Sequence, residues 1–190
     1  MENQNIIQKK LNKTRLITIS ALLTAISFLM VYIVPTIDIG VWSLTVGSHV
    51  PTFIAMFISP VTAVFTYLGT LLAFIIKTGN IFVWLRAGSH IFFIIAGLLI
   101  LRKYDMLKAT KNKYLKVSLF GLVIALVHGI FEALSVVLGL AVGFVLPSTG
   151  GNSTLVYLLL IVCLGTVVHS IIDFALAYAV YIALNKFKIV

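Results

Sequence analysis

The feature that most constrains this chain is where its charges fall. Of its 14 Lys and Arg residues, all but Lys77 and Arg86 lie in three segments. These are Lys9, Lys10, Lys13 and Arg15; Arg102, Lys103, Lys108, Lys111, Lys113 and Lys116; and Lys186 and Lys188. Long apolar stretches separate them, a pattern that describes an integral membrane protein. By the positive-inside rule the three clusters mark the cytoplasmic side, so both termini are expected inside and the number of spans is expected to be even.

The balance of 61% hydrophobic against 10% charged residues is far from that of a soluble domain. The net charge of +9 is then mostly topology. Nucleic-acid binding needs basic residues interleaved with aromatics on one exposed face, whereas these flank lipid-length segments and meet membrane lipid headgroups instead. No nucleic-acid partner is expected. Cys163, alone in an apolar run, reads as a small buried hydrophobe and offers no disulfide within the chain. The basic-then-apolar N-terminus has the order of a signal peptide, but its long apolar run lacks a clear small-residue cleavage site and reads as a retained first span.

A helix crossing the hydrocarbon needs about 20 apolar residues. The chain offers candidates at roughly 16–34, 44–59, 61–76, 82–101, 117–142 and 155–184, which predicts an all-α bundle of six transmembrane helices in a single membrane domain, 1–190. The doubtful division is at Ser59-Pro60, because residues 50–76 can also be read as one helix kinked at the proline, which gives five spans. Elsewhere Pro35, Gly40, Gly79, Asn80 and the Pro147–Asn152 loop punctuate the spans. The loops at 35–47, 77–81 and 143–154 are then external and nearly free of Lys and Arg. There is no room for a nucleotide-binding domain and no P-loop pattern, so active transport would draw on an ion gradient or on partner ATPases. Gly47-Ser48-His49 and Gly88-Ser89-His90 echo each other weakly, as similar helix starts.

Ionisable groups inside spans are costly and each needs a reason. Arg86, His90, His128, Glu132, His169 and Asp173 stand out. His128 and Glu132 are four apart, as are His169 and Asp173, so each pair shares one helical face and the two patches fall in a common middle layer. His49, Arg86 and His90 are placed to close that layer from the outer side, with Trp42 and Trp84 at the outer interface. Bland readings stand beside this one. Arg86 can snorkel to headgroups, His49 and His90 can be satisfied helix-start residues behind Ser48 and Ser89, the paired faces can form an interhelical polar clamp, and the tryptophans can belong to an aromatic belt. Convergence on one half of the bundle favours a substrate pocket.

Imidazoles, a guanidinium and indoles suit a small flat molecule with an acidic group, the arginine holding a carboxylate and the rings stacking. Glu132 and Asp173 would orient the histidines or accept a ring N–H. The same residues can instead ligate a transition metal. An enzyme is the third class, but there is no HExxH and no paired Glu-Glu on a helix, and Ser48 and Ser89 neighbour a histidine only in sequence. No catalytic residue, cofactor or resident metal is expected.

Ala21-Leu-Leu-Thr-Ala25 on the first span is an AxxxA pattern, whose small residues four apart allow close helix approach in lipid. Phe57-Ile-Ser-Pro60 runs the second span directly into the third. With six spans over about 190 residues, these features resemble the substrate-binding S component of an energy-coupling factor (ECF) vitamin transporter. Gly47-Ser-His-Val-Pro-Thr-Phe-Ile-Ala-Met-Phe-Ile-Ser-Pro60 and Leu85-Arg-Ala-Gly-Ser-His90 resemble the niacin-specific members. The resemblance implies a plasma-membrane protein of a prokaryote that binds vitamin from outside beneath the loop joining spans one and two, with Asp38 and Trp42 in that lid. It also implies docking through Ala21 and Ala25 on a transmembrane scaffold subunit driven by two ATPase subunits, with the loaded protein toppling to release its cargo inside. Nickel and cobalt members carry a histidine directly after the initiator Met, where this chain has Glu2. The expected substrate pocket comprises His49, Trp84, Arg86, His90, His128, Glu132, His169 and Asp173. The expected cargo is niacin, with another vitamin, a metal ion, or a stand-alone ion-coupled carrier as alternatives.

Overall fold

A computed structural model describes residues 13–40, 42–104, 106–107, 111–146 and 153–189. Glu2, Lys9, Lys10, Lys108 and the Pro147–Asn152 loop, all used above, lie outside the described residues. The elements are α1 (Lys13–Ile33), a two-stranded hairpin of β1 (Ile37–Ile39) and β2 (Trp42–Leu44), α2 (Val50–Ile58), α3 (Pro60–Lys77), α4 (Ile81–Lys103), α5 (Lys113–Ala141) and α6 (Thr154–Lys186). All of the helices except α2 are long and apolar enough to cross a membrane. The chain is therefore an all-α membrane protein with one small extended hairpin.

Local chemistry sets the boundaries. Ser59 leaves the helix at φ −166° and ψ 155° and its side chain accepts from the Thr62 N–H, with Pro60 opening α3. The Ser59-Pro60 division is thus a corner between two helices. Asn80 caps α4 in the same way, accepting from Phe82 N–H at 3.0 Å. The stretch 44–59, expected as the second span, holds only nine helical residues. At about 1.5 Å per residue α2 is about 14 Å long, under half of a hydrocarbon core of about 30 Å. Two residues stop it from starting earlier. Pro51 in the first turn cannot continue a helix upstream, and Gly47 sits at φ +82°, a conformation that side-chain-bearing residues rarely adopt.

Hydroxyl contacts give the direction of each helix. Ser20 pairs with Thr62 at 2.9 Å, Ser27 pairs with Thr70, and Lys77 at the end of α3 donates to the Val31 carbonyl near the end of α1. So α1 and α3 run parallel, and the hairpin with α2 brings the chain back between them. The short helix follows the direction of α6, with His49 beside Asp173 and Phe57 beside Tyr181. Arg15 at the start of α1 donates to the Lys188 carbonyl beyond α6. Lys13 and Arg15, Arg102 and Lys103, Lys113 and Lys116, and Lys186 and Lys188 consequently share one end of the bundle.

Packing follows the membrane pattern of small residues at close crossings. A side chain on Gly129 of α5 would begin 2.5 Å from the Cys163 carbonyl oxygen of α6, so only glycine permits that approach. Two apolar clusters result. Phe53, Phe57, Phe93, Phe120, Ile124 and Phe174 fill the basic end, and Trp42, Phe82, Val136, Tyr157 and Val162 fill the hairpin end. The layer between them is polar.

Candidate binding site

The polar layer has two carboxylates at its centre, one per long helix. On α6, Asp173 is fully buried and lies against the amino terminus of α2. It accepts from the Gly47 N–H at 2.7 Å and the His49 N–H at 3.0 Å, and His49 Nδ1 is 3.2 Å from its Oδ2. Asp173 therefore does from a neighbouring helix what an N-cap does locally, since His49 makes no side-chain cap of its own. Unpaired N–H groups at a helix start favour a negative charge there. His169 Nε2 lies 3.4 Å from the same carboxylate and 3.0 Å from His49 Nδ1.

On α5, Glu132 is likewise buried, and its Oε2 receives Arg86 Nε at 3.0 Å and Nη2 at 2.9 Å. Its Oε1 faces His90 Nε2 at 3.1 Å and His128 Nε2 at 3.3 Å. The sequence reading gave Arg86 to a ligand carboxylate or to headgroups. In the fold it is buried and paired with a carboxylate of the chain itself. The physical reason is spacing: α4 and α5 pack antiparallel, and the Arg86 and Glu132 positions meet at one level.

The hairpin closes over this layer. Arg86 Nη2 donates to the Ser43 carbonyl at 3.3 Å. Trp42 is only 8% exposed, so its indole is seated in the bundle and not at a lipid interface. Its Nε1 donates to Thr166 Oγ1 at 2.9 Å, and that hydroxyl donates to Glu132 Oε2 at 2.6 Å. The Tyr157 hydroxyl accepts from the Trp42 N–H at 3.1 Å and donates to the Ile39 carbonyl. Tyr157 opens an eight-residue π-helical stretch, Tyr157–Leu164, within α6. Such stretches shift the register of side chains and concentrate at functional sites.

Four imidazoles surround what remains. The His49 ring centre is 4.7 Å from those of His90 and His128 and 4.9 Å from that of His169, and Phe93 lies against His49, His90 and His128 from the basic side. His49, Arg86, His90, Glu132 and His169 border a small cavity together with Ser43, Thr45 and Ser48. Its volume of about 20 Å³ admits a water molecule but no aromatic ring. His128 and Asp173 stand directly behind that wall. Trp84 is elsewhere: its Nε1 donates to the Thr78 carbonyl at 2.6 Å, and it does not line the cavity. Asp38 on β1 is exposed on the hairpin.

Ring nitrogens of His49, His90 and His128 lie within 4.8 Å of one another. His49, His169 and Asp173 form a second such group, while His90 and His128 turn Nε2 toward Glu132 and His49 turns Nδ1 toward Asp173. Buried ring nitrogens without a hydrogen-bond partner do remain, at His49 Nε2, His169 Nδ1 and both nitrogens of His128, whose Nε2 has only the 3.3 Å approach to Glu132. Each is a buried donor or acceptor without a partner, a costly state that a polar ligand relieves.

Several members of the site were missed in the sequence. Thr166 was legible in principle, three before His169 and seven before Asp173 on the same helical face. Tyr157 was not, because the π-helical stretch breaks that periodicity. Gly47 acts through its backbone N–H, and Ser43 offers Arg86 its carbonyl at 3.3 Å and its hydroxyl at 3.5 Å; neither residue is ionisable, so neither is conspicuous in an apolar stretch.

No family model matches the chain, and no solved structure matches it. The chain is 36% identical over 180 residues to the niacin transporter NiaX of Lactococcus lactis subsp. cremoris (strain MG1363), an alignment covering 94% of this chain and 78% of that one. That relative is a transporter, which accords with the reading of this chain as a non-enzyme. Identity at this level over nearly the whole length, in a chain with long apolar helices, fixes the relationship: the protein is a multi-pass membrane protein of a prokaryote and belongs to the family of the niacin transporter NiaX.

Proposed function

We propose that this protein is the substrate-binding S component of an ECF-type importer and that it captures niacin as its carboxylate. The observation that carries the reading is the buried layer of Arg86, Glu132, Asp173 and four imidazoles beneath a seated hairpin, in a relative of a niacin transporter. Such a layer is too costly to keep as packing alone, and its unpartnered ring nitrogens suit a flat heteroaromatic acid. The cavity is smaller than a pyridine ring, so loading requires the side chains that line it, or the hairpin over it, to shift. The chain crosses the membrane six times, the hairpin with α2 forming the second passage, and the shared basic end is cytoplasmic.

A scaffold subunit and two ATPase subunits complete the importer. Ala21 and Ala25 lie on the outward face of α1, exposed and directed away from the polar layer, where close approach by another helix is unobstructed. The test is equilibrium binding to purified protein: nicotinate should bind much more tightly than nicotinamide, and mass spectrometry should find niacin co-purifying. Equal binding of acid and amide would reject the anion-selective site. Nickel or cobalt should give no comparable thermal stabilisation, and a large metal-dependent shift would favour a metal-ion cargo.

A further inference from the structure

The charges of the polar layer do not balance. Among the described residues the layer holds one guanidinium, Arg86 of α4, and two buried carboxylates, Glu132 of α5, with which it pairs, and Asp173 of α6. Arg86 is already engaged by Glu132, and Asp173 is held by backbone N–H groups at the start of α2. One guanidinium against two carboxylates leaves the layer net negative when its imidazoles are neutral. A carboxylate ligand brings a further negative charge into a space closed by the hairpin, and an uncompensated buried charge is among the most costly states a protein can hold.

Among the described residues, the titratable groups that can supply the missing positive charge are histidines: His49 of α2, His90 of α4 and His169 of α6 border the cavity, and His128 of α5 stands behind that wall against His49. Among the described residues the rest of the lining is uncharged: Ser43, Thr45, Ser48, Phe74, Val83 and Ala87. His49 Nε2 and His128 Nδ1 are buried, unpartnered and on rings in edge contact with each other. A proton on the cluster adds an N–H, and three of its rings, His49, His90 and His169, border the cavity where a ligand oxygen would lie.

We propose that the site binds its carboxylate ligand together with a proton, carried by the imidazole cluster around His49 and His128, so that the cargo is held as a charge-neutral pair. This rests on the niacin reading above and adds the proton as a second ligand of the same site. The stoichiometry does not depend on Arg86 staying in place. If the guanidinium turns to the ligand, Glu132 becomes the uncompensated charge and one proton is again required.

Calorimetric titration of the full chain in detergent with nicotinate, in two buffers of different ionisation enthalpy at one pH, reads the protons exchanged. About one proton should be taken up per nicotinate bound, and Kd should rise by roughly tenfold per pH unit between about pH 7 and pH 8.5. Nicotinate binding with no proton exchange and a flat Kd over that range overturns the inference and leaves the vitamin reading standing. If nicotinate does not bind at all, both fall together.

Discussion

Nε and Nη2 of Arg86 converge on a single oxygen of Glu132, at 3.0 and 2.9 Å, in a layer that lies between the two apolar clusters of the bundle. The pair joins α4 to α5 and leaves the other Glu132 oxygen to His90 and His128. It is therefore both a clamp and a wall of the cavity, and the two roles can be separated.

Removing one member of a buried ion pair leaves the other charge uncompensated, at a cost of about 3–5 kcal/mol. Arg86→Ala should therefore lower the thermal midpoint of the apo-protein markedly. Removing both charges, as Arg86→Met with Glu132→Met, should restore part of that loss, since His90, His128 and Thr166 still lose their carboxylate. If Arg86→Ala unfolds at the wild-type temperature, the pair contributes nothing to the fold and the clamp reading is wrong.

Thr166 passes one hydrogen-bond chain from the hairpin to the site, accepting from Trp42 and donating to Glu132. Thr166→Val keeps the shape and removes both bonds, so the seated hairpin should lose about 1–2 kcal/mol of its hold. Stopped-flow measurement should show nicotinate leaving on the order of tenfold faster with association little changed. Trp84→Phe, which removes an indole bond to the Thr78 carbonyl outside the cavity, should leave the dissociation rate as it was. Equal dissociation from wild type and Thr166→Val would rule out the latch.

Ala21 and Ala25 are exposed on α1, while the face of that helix bearing Ser20, Leu23, Ser27 and Val31 packs inward. A tryptophan at either alanine adds bulk to the lipid side alone, holding a partner helix away by several ångströms. Ala21→Trp and Ala25→Trp should bind nicotinate with unchanged affinity yet stop ATP-dependent uptake in vesicles holding scaffold and ATPases. Normal uptake by both variants, or ion-driven uptake by this chain alone, would remove the S-component mechanism.

Much of the site was legible one helix at a time. His128 with Glu132, and His169 with Asp173, announce themselves as ionisable pairs at helical spacing in apolar runs. The α4 residues Arg86 and His90 share that spacing. What spacing cannot give is the partner across the bundle. A lone arginine in a span has the same sequence signature whether it waits for a ligand or is already neutralised. Trp84 illustrates the converse: an indole beside an outer helix end has the same signature whether it faces a pocket or, as here, a loop carbonyl.

The sequence by itself determined that this chain folds in a membrane, with long apolar helices and basic ends, because apolar stretches of that length and charges so confined have no soluble solution. It also determined which helices carry ionisable groups, since their cost in lipid makes each conspicuous. Only the tertiary structure decided how those groups are spent. It turned Asp173 into the cap of α2 and set Glu132 against Arg86. Those outcomes depend on where helices cross and on backbone groups freed at a helix start. Both are distances between parts of the chain remote in sequence, and no local pattern encodes them.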